Sequence, residues 1–184
     1  AHLWRVAQRN KKEMAPFQGP RQPYTAQLGK VLVIYYSWTG HTQAIAQQIA
    51  QHTQADVFRL ETSEPLPSVP WAPLLLKRQL STGRYPQLKH PLPDVSAYDT
   101  VFVGGPVWWY TAATPLLQFL REIDFQHKTV VPFSTQGSNY GTFFEDFAQQ
   151  ARNAQLKKGA SFNNLGPKYD EAVANKIILW LNSL

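Results

Sequence analysis

The chain has 184 residues, 43% of them hydrophobic and only 16% charged, enough for one packed domain of about 100–150 residues and a remainder. It has no cysteine, which excludes disulfide scaffolds, thiolate metal sites and cysteine nucleophiles, and no apolar run approaches the ~20 residues of a membrane span. The net charge of +6 is uneven: residues 1–30 hold Arg5, Arg9, Lys11, Lys12, Arg21 and Lys30 against Glu13 alone and carry +5, whereas residues 31–184 carry +1.

Residues 1–29 are polar, rich in Gln and interrupted by Pro16, Pro20 and Pro23, so they read as a basic N-terminal extension outside the core. Such an arm either meets phosphate or anionic lipid, or is a solvated extension or the remnant of a removed anchor; the second reading is favoured. The near-neutral body argues against a nucleic-acid partner. The chain begins without Met, as a processed product would, and a cytoplasmic location is expected.

Regular structure starts at Lys30. Lys30–Tyr36 is a β-branched and aromatic run suited to a strand buried on both faces. A short loop, Ser37-Trp38-Thr39-Gly40-His41-Thr42, leads into a helix over 43–51 with Ile45 and Ile49 on one face. A second strand is expected at Asp56–Leu60. The pattern then dissolves between Glu61 and Ser96, which hold seven of the 14 prolines; only a short helix over 74–80 is expected there. Asp99–Gly104 is the third strand, followed by Gly105-Pro106-Val107-Trp108-Trp109-Tyr110 as a loop and a helix from Pro115 to Ile123. Lys128–Phe133 is the fourth strand, with a loop from Thr135 to Gly141 and a helix over 142–154. A fifth strand is expected within 155–162, and Val173, Ile177, Trp180 and Leu184 stripe a last helix.

Strands alternating with helices imply βαβ units, a parallel sheet and helices on both faces. Ligands of such open sheets bind beyond the carboxyl ends of the strands, where the strand order reverses. Three loops gather there. The first offers hydroxyls, a glycine and a helix N-terminus, which together suit a phosphate, although Ser and Thr at that position equally read as helix caps. It lacks the Gly-Lys-Ser/Thr ending of an NTPase loop and the G-x-G-x-x-G of dinucleotide folds. The second carries three successive large aromatics, which cannot all point inward, so at least one is expected to face solvent or a flat ring. The third, Thr135-Gln136-Gly137-Ser138-Asn139-Tyr140-Gly141, is polar and small apart from Tyr140.

Taken together these loops resemble those of the flavodoxin family. Ser37–Thr42 is similar to its S/T-x-T-G-x-T phosphate loop, Val103–Trp109 to a G-x-P-x-W-W loop, and Phe133–Ser138 to its third loop. The resemblance covers residues 30–184. It implies an α/β three-layer sandwich with a five-stranded parallel sheet of order 2-1-3-4-5, and one non-covalent FMN. It further implies that Ser37, Trp38, Thr39, Gly40, His41 and Thr42 hold the phosphate. Pro106, Val107, Trp108, Trp109 and Tyr110, with Thr135, Gln136, Gly137, Ser138, Tyr140 and Gly141, would flank the ring. Trp108 or Trp109 and Tyr140 are the stacking candidates, and His41 reads as a neutral donor rather than a titrating group. The scattered histidines form no metal spacing. The implied role is electron transfer with a redox partner protein or a small acceptor. The alternative is an FMN-dependent NAD(P)H:quinone-type oxidoreductase, which the weakly charged body keeps open because electron-carrying flavodoxins tend to be acidic.

Overall fold

The computed structural model describes residues 2–184. Six helices of eight residues or more surround one sheet: α1 (His2–Met14), α2 (His41–Thr53), α3 (Ala72–Thr82), α4 (Thr114–Glu122), α5 (Phe143–Gln150) and α6 (Asp170–Asn182). The strands are β1 (Val31–Tyr35), β2 (Asp56–Arg59), β3 (Thr100–Trp108), β4 (Thr111–Ala112), β5 (Thr129–Gln136), β6 (Gln155–Leu156) and β7 (Ala160–Asn163). Five sheet positions run parallel in the order β2-β1-β3-β5-β6/β7, while β4 folds back antiparallel on β3. With β6 and β7 counted as one interrupted strand, this is the expected 2-1-3-4-5 order.

The alternation of the buried runs builds the two faces. In β1, Val31, Val33 and Tyr35 pack with Phe102, Phe133, Ile45, Ile49 and Ile177 beneath α2 and α6. Leu32 and Ile34 point the other way, into a cluster with Val101, Val103, Leu116, Phe119 and Phe147 beneath α3, α4 and α5. A period of two thus serves two cores, which is why the strand reads as continuously apolar.

The fifth position is broken for a physical reason. Lys157 N donates to Val130 O and Asn164 N to Gln136 O, so alternate residues of β5 present their polar groups to this side. Pro132 shares that parity and has no N–H, and the gap between β6 and β7 lies opposite it.

The N-terminal segment differs from the expectation of an extension outside the core. Residues 2–14 form α1, a 3₁₀ turn follows at Ala15–Phe17, and Met14 is buried against Tyr169 and Ala172. Residues 17–26 then run along α6 as a strap. The buried Asn175 donates to the carbonyls of Phe17, Gly19 and Pro20 and accepts from Gln22 N at 3.1 Å. Asn182 likewise accepts from Thr25 N and Ala26 N. A polar, proline-broken sequence does not reveal this docking, because its partners are two asparagines more than 150 residues away. No helix among the described residues is long and apolar enough to cross a membrane.

Candidate functional site

The first loop leaves β1 with Tyr36 N bonded to Gly104 O at 3.0 Å. Ser37 is buried, and its Oγ accepts from Gly40 N at 3.2 Å and Gln43 N at 3.3 Å, closing the turn. Gly40 precedes α2 at φ 96°, a conformation that costs a side chain dearly, and a β-carbon there would meet no protein atom. Capping is therefore the work of Ser37 alone. The hydroxyl of Thr42 is spent on Thr135 Oγ1 at 2.7 Å, which ties the first loop to the end of β5. Among the described residues the amides of Trp38, Thr39, His41 and Thr42 and the Thr39 hydroxyl have no protein partner. A helix start with so many free donors suits an anion.

One residue missed in the sequence stands beside this turn. The register pairs Tyr35 with Arg59, so the guanidinium of Arg59 reaches Ser37 O at 3.3 Å and Gln43 Oε1 at 3.4 Å. No carboxylate pairs with it among the described residues. Nothing in Asp56-Val-Phe-Arg-Leu marks the arginine; the parallel pairing alone brings it there. Burial pushes the neighbouring Tyr36 hydroxyl up to about 12, with the positive charge of Arg59 opposing the shift.

The second loop is shorter than expected. β3 continues through Gly105, Pro106, Val107 and Trp108, pairing Gly105 with Ser134 and Pro106 with Thr135, so these residues are strand. The chain reverses in two residues, Trp109 and Tyr110, between the paired Trp108 and Thr111. Both have positive φ, 49° and 66°, as in a type I′ hairpin turn, whose usual occupants are Asn and Gly. Two aromatics in this region store strain of about 1–3 kcal/mol each. The three aromatics separate as their number demands. Trp108 is core, wedged edge-on between Tyr36 and Trp38 at 5.7 and 5.2 Å. Trp109 and Tyr110 are 43% and 65% exposed. The Trp109 indole donates to Pro73 O at 2.9 Å, and Lys77 lies 5.1 Å from its ring centroid, so α3 of the proline-rich segment borders the turn.

The third loop braces the second. β5 runs on to Gln136, which moves Thr135 and Gln136 from loop to strand and buries both. Thr142 N donates to Tyr110 O at 2.7 Å, and a β-carbon on Gly141, at φ 54°, would lie 2.1 Å from that same oxygen. Asp146 accepts from the hydroxyls of Thr111 and Thr142. Tyr140 is 46% exposed and packs its edge on Phe144. The loop is also held from α1: the Arg9 guanidinium donates to Ser138 O. Asn163 accepts from Gln136 at 3.0 Å and donates to Asn10 at 3.0 Å and Glu13 at 3.1 Å. None of these α1 and β7 residues had a signal in the sequence.

The edge so formed offers free donors at one end and exposed aromatics, Trp109, Tyr110 and Tyr140, on the loops beside it. The side chains of Trp108, Thr135 and Gln136 are engaged within the protein, and His41 is exposed. No group of three His, Asp or Glu that would hold a metal occurs among the described residues.

Comparison with known proteins bears on this edge. The flavodoxin family model matches residues 30–180. None of the curated protein sequences matches the chain. Among solved structures it is similar to a protein from Bacteroides uniformis described as a flavoprotein, at 24% identity and a TM-score of 0.71, over 84% of this chain and 99% of that one. The flavoprotein of Lactobacillus acidophilus in complex with FMN is 22% identical, with a TM-score of 0.66, over 72% and 93%. A Bacteroides eggerthii protein of like description is 24% identical, with a TM-score of 0.66, over 85% and 99%. At such identities the structural likeness speaks for the fold. A family match running from Lys30 into α6, on a sheet of the order that family resemblance implied, makes this chain a member of the flavodoxin family.

Proposed function

We propose that the protein binds one FMN non-covalently across the carboxyl ends of β1, β3 and β5 and carries electrons between redox partners. The observation that carries this reading is that the amides of Trp38, Thr39, His41 and Thr42 have no partner among the described residues, because Ser37 closes the turn by itself on the amides of Gly40 and Gln43. They would hold the phosphate with the Thr39 hydroxyl, and Arg59 would add a positive charge beside it. Trp109, Tyr110 and Tyr140 would flank the ring. This donor set fits a phosphate dianion, and no second nucleotide fingerprint is present for an adenylate. FMN, when bound, supplies one- or two-electron chemistry at its ring. The protein's part is to bind, orient and exclude water. Asp146 accepts from the hydroxyls of Thr111 and Thr142 and so braces the aromatic turn.

A second reading, an FMN-dependent reductase taking hydride from NAD(P)H for a quinone-type acceptor, has one observation in its favour. A cleft of 340 Å³ opens beside the first loop, lined by Ser37, Trp38, Arg59, Glu61, Thr62 and Lys89; Lys89 is paired with Glu61 at 3.2 Å, so the cleft offers room for a second ligand and the guanidinium of Arg59 to meet it. Anaerobic addition of NADPH or NADH to FMN-loaded protein separates the two. Rapid stoichiometric bleaching of the flavin assigns the reductase. Flavin that bleaches only with a reductase partner or dithionite assigns the carrier. Protein that takes up no FMN overturns both.

A further inference from the structure

The basic charge of the chain has a definite place in the fold. Val6, Asn10 and Met14, spaced by four, turn one side of α1 to the body, where Met14 is buried and Asn10 bonds to Asn163. The same helical spacing puts Trp4, Gln8, Lys11 and Lys12 on the opposite side, with Arg5 next to them. Arg5, Lys11 and Lys12 have no acidic partner among the described residues, whereas Arg9 is taken up by Glu13 and Ser138. In the first turn of the helix Leu3 and Trp4 are 84% and 67% exposed.

We infer that this face of α1 docks the protein peripherally on an anionic lipid surface, independently of whether flavin is bound. Unpaired cations on a fixed helix face complement a negative leaflet, and each contributes through the surface potential. Trp4, exposed on this face in the first turn, supplies the amphipathic ring that settles at the headgroup level. Lipid is favoured over nucleic acid because the exposed tryptophan has no use against phosphates alone, and because residues 31–184 add a net charge of only +1. With three free cations and one exposed tryptophan the attachment is reversible and salt-sensitive rather than an anchor. Since Arg9 and Asn10 also hold the third loop, docking keeps that loop within about one helix length, roughly 20 Å, of the lipid surface.

The test is sedimentation of the full chain with vesicles of phosphatidylcholine containing about one-third phosphatidylglycerol, against vesicles of pure phosphatidylcholine. Binding to the anionic vesicles alone, weakening as salt rises from about 0.05 to about 0.5 M, is the expected result. Replacing Arg5, Lys11 and Lys12 together by Gln should weaken it roughly a hundredfold, about fivefold for each charge. Trp4→Ala should abolish quenching of the tryptophan emission by brominated lipid at the surface. These side chains face solvent, so thermal melting of the variants should match the parent. Absence of binding to anionic vesicles, or equal binding to both compositions, overturns the inference on the unaltered chain. Tighter binding to mixed-sequence duplex DNA than to the vesicles also overturns it and assigns the basic face to nucleic acid.

Discussion

Thr39 and Ser37 look alike in the motif and differ in the fold. Ser37 is spent on two amides of its own turn, while the Thr39 hydroxyl is free. A bond from Thr39 to a phosphate dianion is worth ~1.5–3 kcal/mol, so Thr39→Ala should weaken FMN binding by roughly ten- to a hundredfold and leave riboflavin, which lacks the phosphate, unaffected. Equal losses for both flavins would return Thr39 to a capping role. Arg59→Gln should show the same selectivity on a smaller scale, a few-fold at low salt and less as salt is raised, because its guanidinium is exposed. Tyr36 governs an alkaline limb of stability. Its hydroxyl ionises at 10.0 when unfolded and at about 12 in the fold, so between these values the unfolded chain sheds a proton that the native state keeps. Its contribution is intact below pH 10 and is lost as the pH rises toward 12. Denaturant titrations should therefore show a smaller alkaline loss, by up to ~2 kcal/mol, in Tyr36→Phe than in the parent. An identical loss in both would assign that limb to other groups.

The turn between β3 and β4 is where local preference and fold disagree. Trp109 and Tyr110 occupy a conformation that favours Asn and Gly, and the cost is sustained by Thr142, Gly141 and Asp146. Tyr110→Gly should relieve strain and raise stability by about 0.5–1 kcal/mol while weakening FMN and riboflavin alike, since both carry the ring. Gly141→Ala should act in the opposite sense, because its β-carbon would strike Tyr110 O. A loss of about 2–4 kcal/mol by chemical denaturation, with weaker binding of both flavins, is expected. Stability unchanged by Gly141→Ala would mean that the two loops are not braced. The extents of β3 and β5 belong to this scale too. Gly105-Pro106-Val107 and Thr135-Gln136 carry loop-like residues, yet they are held in strand by pairing: Gly105 with Ser134, Pro106 with Thr135, Val107 with Ala112 and Gln136 with Asn163. Cross-strand pairing is a property of two segments and cannot be seen in either.

Across the whole molecule the N-terminal segment links α6, through its strap, to the third loop and β7, through α1. A chain beginning at Leu28 would leave the buried Asn175 without four of its partners and uncover the contact of Met14 with Tyr169 and Ala172. Its melting temperature should fall by roughly 5–15 °C, and its FMN affinity by a few-fold through loss of the contacts at Ser138 and Asn163. Melting and affinity equal to those of the full chain would make the strap a passive extension. The main strands and flanking helices of residues 30–184 were legible because their information is local. The apolar runs of β1, β3 and β5 declare buried strands, the Ile45/Ile49 and Val173/Ile177/Trp180 spacings declare helix faces, and alternation of the two implies a parallel sheet with loops at one edge. The turn after β1 was legible as a strand–turn–helix for the same reason, since its residues are contiguous. Arg59, the bracing of Tyr110 by Gly141 and Thr142, the hold of α1 on Ser138 and Asn163, and the docking of residues 14–26 on Asn175 and Asn182 were not. Each joins residues far apart in the chain through a polar group with no periodicity, and such pairings arise only when the sheet register and helix packing bring the two ends together.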